Sequence, residues 1–120
     1  AEDLAEDDVT IVLVGDGVSK ADLVAAAERR DLSNVRFIDP IPKSEIPLLL
    51  HAADAGLHCL ADVELFKTGV SPNKLYDYMA AGLPAVTNTG GDVAAMVERA
   101  GSGVAVEPTE IAAGFRALLE

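Results

Sequence analysis

The chain of 120 residues predicts an α/β fold: a three-layer αβα sandwich built on a five-stranded parallel, Rossmann-like sheet. Three observations carry this expectation. Half the residues are hydrophobic but only 4% are aromatic, so the core must be assembled from Val, Leu, Ile and Ala, as in buried parallel strands backed by helices. Short β-branched runs alternate with helix-periodic segments five times along the chain. The length suits one domain, long enough to bury roughly two-thirds of the surface that its unfolded form exposes.

The opening "AEDLAEDD" (residues 1–8) reads as an acidic tail or the end of a truncated helix, leaving residues 9–120 as the folded domain. "VTIVLV" (9–14) is a continuous apolar run expected to form a strand buried on both faces, and it ends in "GDG". Ser19 then caps a helix with Asp22 at the capping-box position and Leu23, Ala26 and Ala27 along its apolar stripe. "VRFI" (35–38) is the second strand, followed by a turn at 39–42 and a helix that Ser44 caps, with Pro47 tolerated in its first turn. "AGLHCL" (55–60) is the third strand.

The longest connection, 61–70, leads to a helix with Ser71 as N-cap and Pro72 as first helical residue, running to about Ala81, where Gly82 ends it and Pro84 prevents its return. "PAVTN" (84–88) is the fourth strand, "TGGD" turns into a helix over 93–100, and "GVAV" (103–106) is the fifth strand. Thr109 caps a terminal helix ending near Leu119. Alternating βα units imply right-handed crossovers and a parallel sheet, with ligands bound beyond the C-terminal strand ends. "GDG", "DPIP", 61–70 and "TGGD" are therefore the loops expected to carry function.

Composition narrows the function. A formal charge of −11 disfavours binding to nucleic acid or anionic lipid, both of which need Lys and Arg to neutralise phosphate. One cysteine, Cys59, excludes an internal disulfide. There is no run of about 18 apolar residues and no basic-then-apolar leader, so a cytoplasmic location is expected.

Lys74 is the most informative residue. It falls in the first turn of its helix, where unpaired N–H groups and the positive dipole end call for an acid. A Lys74–Asp77 pair at i, i+3 is one explanation, although its order against the dipole is the less favourable one. A bound anion is the other: phosphates held by helix N–H groups and Lys74, with Asp77 one turn on accepting bonds from sugar hydroxyls. Gly15, Asp16 and Gly17 resemble the opening of a phosphate-binding loop, but Lys20 stands where the dinucleotide fingerprint needs its third glycine, so tight-turn geometry explains them equally well.

Other chemistry finds little support. His58 and Cys59 face opposite sides of a strand, which favours packing over a shared metal site, and His51 has no ligand partner at i+4. Glu64 reads as a solvated loop acid. No G-x-S-x-G elbow occurs.

"LVGDG", "NVRFIDPIPKSEIPLLL", "SPNKLYDYMAAGLPAV" and "GGDVAAMVERAGSGVAV" resemble, in order and spacing, the C-terminal donor-binding half of group 1 glycosyltransferases with the GT-B fold. The resemblance is densest over residues 71–86, and is strongest to members acting in bacterial or archaeal polysaccharide and glycoconjugate synthesis. It implies a retaining transferase that takes a sugar from a nucleoside-diphosphate sugar to a glycan or lipid-linked acceptor, without metal or other cofactor. It implies that backbone groups of Thr68, Gly69, Val70 and Ser71, with Lys74, meet the diphosphate, that Asp77 holds the ribose, and that Asp39, Pro40 and Ile41 lie near the nucleobase. Asp77 occupies the place of the second of two family glutamates, and Gly69 that of the first.

The resemblance further implies an N-terminal acceptor domain as partner, a full-length parent peripheral at the membrane, and a fragment inactive alone. The family sheet runs 3-2-1-4-5-6, and this chain begins after its central strand, so the expected order here is 2-1-3-4-5. The alternative is a non-enzymatic flavodoxin-like or receiver-like interaction module. A receiver needs acids at the end of the first strand and a phosphorylatable Asp ending the third; Asp62 comes slightly late and the acid pair is missing.

Overall fold

A computed structural model describes residues 1–61 and 72–120. Its strands are β1 (Ile11–Val14), β2 (Val35–Ile38), β3 (Gly56–His58), β4 (Ala85–Thr87) and β5 (Gly103–Ala105). Its α-helices are α1 (Lys20–Arg29), α2 (Ile46–Ala52), α3 (Asn73–Ala80), α4 (Gly91–Ala100) and α5 (Ile111–Leu119). The βα alternation is the expected one, and all the strand pairings are parallel.

The five strands do not form one sheet of order 2-1-3-4-5. They form a two-stranded sheet, β1-β2, and a three-stranded sheet, β3-β4-β5. The chain correspondingly divides into two compact units, Ala1–Ile46 and Pro47–Glu120. An apolar run encodes burial but not the identity of the neighbouring strand, and the expected β1–β3 pairing had no local signal to enforce it.

In the first unit, β1 and β2 pair in register from Ile11↔Val35 to Val14↔Ile38. The ladder is prolonged at both ends, by Ile11 N–H to Asn34 O at 2.8 Å and by Gly15 N–H to Ile38 O at 3.0 Å. The expectation that β1 is buried on both faces fails: Val12 is 45% and Leu13 37% exposed. In a two-stranded sheet every strand is an edge, which leaves too few neighbours to cover both faces. Residues 1–8 contain a 3-10 turn at Glu2–Leu4 that buries Leu4. α1 ends with Asp31 in the left-handed conformation (φ 51°), where Leu32 N–H bonds Ala27 O and Asp31 N–H bonds Glu28 O.

The second unit is a three-layer sandwich. Leu75 of α3, Ala85 of β4, and Val93 and Val97 of α4 form a buried cluster with Tyr78, Met79 and Met96 packed against it. On the opposite face lies α5, where Gly114 sits against Val86, Val104 and Val106. Val86, between the two layers, is fully buried.

Cap assignments differ in detail. Ser19 precedes α1 without a side-chain cap bond. Ser44 lies inside a 3-10 turn, Lys43–Glu45, so it does not cap α2. Glu110 rather than Thr109 occupies the N-cap of α5, and α4 begins at Gly91.

Candidate functional site

Helix α3 starts one residue later than expected, with Pro72 at the N-cap and Asn73 as its first residue. Proline has no side-chain oxygen with which to accept a first-turn N–H, and no side-chain cap bond is made. The first turn contains no acid. Lys74 is exposed in it, and Asp77 is exposed one turn on. Neither is in an ion pair with the other or with another described residue. The Lys74–Asp77 pair is therefore not formed.

The helix is anchored firmly at its other end. Gly82 adopts φ 68°, Leu83 N–H bonds Tyr78 O at 2.8 Å and Gly82 N–H bonds Met79 O at 3.1 Å, the paired bonds of a Schellman ending. Tyr78 donates from its hydroxyl to Leu57 O at 3.1 Å. Its ring lies so close to Gly56 that a Cβ there would be 2.6 Å from Cδ2. Burial, with the Asp77 carboxylate next, raises the Tyr78 pKa, so the hydroxyl stays protonated and able to donate.

His58 closes β3 beneath this helix. It shares the sheet face of Gly56, two residues back, which is the face that α3 covers. Its Nδ1 lies 3.0 Å from the Thr87 hydroxyl, and the Thr87 oxygen accepts Thr89 N–H at 3.1 Å. Burial, and secondarily the Lys74 ammonium, lower the His58 pKa. One strand over, Asn88 extends the β3–β4 pairing with its side chain: Leu60 N–H donates to Oδ1 at 2.9 Å, and Nδ2 donates to Leu60 O at 2.8 Å.

Thr68, Gly69, Val70 and Ser71, expected at the diphosphate, lie outside the described residues, as does Glu64. The loop residues Gly15, Asp16 and Gly17 and the turn Asp39, Pro40 and Ile41 belong to the first unit, where both follow C-terminal strand ends. Lys20 binds Asp39 there at 2.7 Å, joining the start of α1 to the end of β2 and lowering the Asp39 pKa through that hydrogen bond and charge. Gly15 has φ 146°, a conformation that favours glycine, which gives "GDG" a geometric role whatever else it does.

A cavity of about 450 Å³ lies beyond the ends of β3, β4 and β5, between the α4 N-terminus at Gly90 and Gly91 and the acids Glu98, Glu107 and Glu110. Among the described residues, no three His, Cys, Asp or Glu side chains converge to hold a metal, and no helix is long and apolar enough to cross a membrane.

His58 and Asn88 were not singled out for these roles by sequence reasoning. Their partners Thr87 and Leu60 are 29 and 28 positions away, and only the β3–β4 register brings them together. A polar residue at each tip of two neighbouring apolar strands was the available signal.

Comparison with known proteins gives one match. The family model described as glycosyl transferases group 1 matches residues 1–120. No curated protein and no solved structure matches the chain.

Proposed function

The chain belongs to the group 1 glycosyltransferases, and on that premise we propose that it is the donor-binding part of a retaining enzyme that uses a nucleoside-diphosphate sugar. The observation that carries this reading is the α3 N-terminus, whose N-cap Pro72 makes no side-chain cap bond, whose first turn holds no acid, and which carries an exposed Lys74. First-turn N–H groups and an ammonium are the complement of a pyrophosphate.

Glycosyl transfer breaks the bond between the anomeric carbon and the β-phosphate oxygen, and negative charge accumulates on the departing nucleoside diphosphate. Oriented N–H dipoles and Lys74 stabilise that charge more than they stabilise the intact donor, which makes their contribution catalytic. Asp77, exposed one turn along, accepts hydrogen bonds from the ribose hydroxyls. The acceptor is bound by a separate N-terminal domain, so this chain contributes donor orientation and leaving-group stabilisation but no transfer on its own. Donor sugar and acceptor together place the parent enzyme in glycan or glycolipid assembly, peripheral at a membrane.

Calorimetric titration tests the reading. UDP or GDP should bind, and uridine or guanosine should not. Lys74→Ala should weaken the nucleotide by about tenfold, whereas Asp77→Asn should weaken UDP but leave inorganic pyrophosphate unchanged. Equal binding of nucleoside and nucleotide would refute the anion site.

A further inference from the structure

Most buried polar side-chain atoms have a hydrogen-bond partner, so one that lacks it calls for an explanation. Thr89, in the turn between β4 and α4, is 5% exposed, and among the described residues its Oγ1 has no partner. Its backbone is settled, since the N–H donates to the Thr87 oxygen at 3.1 Å. The open space beside Thr89 is the cavity of about 450 Å³ at the ends of β3, β4 and β5, whose lining includes it. The partner that its hydroxyl lacks therefore comes from that cavity. A hydroxyl both donates and accepts, so it suits a ligand group that does the same.

The rest of the lining mixes donors with acceptors. The cavity is bordered by the start of α4, where the N-cap Gly90 has no side chain with which to take a first-turn N–H. Glu98, Glu107 and Glu110 also border it, with carboxylates that accept. Among the described residues none of these acids is in an ion pair. Ala94, Val106 and Pro108 add apolar surface. A phosphate would suit the amides but is repelled by the acids, and an ammonium would suit the acids but meets N–H donors of its own polarity. A sugar hydroxyl satisfies both kinds of group, accepting from an N–H or from Thr89 and donating to a carboxylate. The C–H face of a sugar ring suits the apolar residues, and the volume lies in the range of small-molecule sites, roughly 300–1,000 Å³.

We infer that this cavity is a carbohydrate site, in which Thr89 and the first-turn amides of α4 donate to the oxygens of a neutral sugar while Glu107 and Glu110 accept from its hydroxyl groups. None of the lining residues belongs to α3, so the site is a second one beyond the nucleotide reading and stands whether or not a nucleotide binds at α3.

Amide NMR of the full chain, titrated with glucose, mannose, galactose and N-acetylglucosamine at millimolar concentration, reads the site directly. At least one of these sugars should shift the amides of Thr89–Ala94 and of Glu107 and Glu110, and inorganic phosphate and spermidine should shift them less. Thr89→Val keeps the shape of the side chain and deletes its hydroxyl. T89V should bind the sugar about tenfold more weakly and yet melt no lower than the wild type, because the group it removes is unpaired in the empty chain. Glu107→Gln, a change at an exposed residue, should weaken the sugar as well. Amides at 89–94 that respond to none of the sugars overturn the assignment, as does a larger response to phosphate or spermidine. Wild-type sugar affinity in T89V or in E107Q overturns it too. A T89V that is destabilised or unfolded would mean that the hydroxyl is already paired in the empty chain, and has the same consequence.

Discussion

Burial and the neighbouring Lys74 ammonium both favour the uncharged form of His58, so folding depresses its pKa below the ordinary value of about 6.5. The folded state then binds this proton less readily than the unfolded chain does. Stability from His58 is fully present above about pH 6.5 and is lost as the pH falls below it. Among the described residues, the Lys74 charge and the Thr87 hydroxyl act on the ring. Thermal unfolding between pH 7.5 and 5.5 should accordingly show a falling midpoint, and H58N, which cannot titrate, should fall less. Identical pH profiles would mean that His58 is not held neutral. Lys74 was legible in the sequence because a cation in a first turn offends a local rule. His58 was not, since the hydroxyl that orients it is distant in the chain and becomes its neighbour only through strand register.

Helix α3 presents its first turn through two attachments at its far half: the Schellman ending at Gly82 and Leu83, and Tyr78 laid over Gly56 with its hydroxyl on Leu57 O. A side chain at position 56 must push that ring away. Gly56→Ala is therefore expected to destabilise the fold by about 1–3 kcal/mol, the range for overpacking, read as a lower urea midpoint with an unchanged slope. An unchanged midpoint would show that Tyr78 does not fix the helix. At this scale the sequence was informative: Gly82 ends α3 as expected, and β1 to β5 fall inside the apolar runs that announced them. Start positions were less legible. Ser71 with Pro72 suggested a cap that begins one residue early, and Ser44 proved to sit in a 3-10 turn, because a capping residue type does not specify which of several adjacent turns it caps.

Across the whole molecule, parallel βα alternation was readable from the apolar runs, but the division of five strands into sets of two and three was not. Local patterning marks where strands and helices form, while strand order, and with it the burial of β1, depends on long-range pairing that no short stretch encodes. Net charge acts at this scale too. A chain carrying −11 repels a nucleoside diphosphate in general, so binding requires a local inversion of the field. Lys74, in a first turn of α3 that holds no acid, provides one. The acid-walled cavity beside α4, with Glu98, Glu107 and Glu110, does not. Backbone amide NMR of the 120-residue chain during titration with UDP or GDP compares these surfaces directly. Shifts gathered at Asn73–Asp77, and lost in Lys74→Ala, are the expected result. Shifts gathered at Gly90–Ala94, or a flat response at Asn73–Asp77, would contradict it.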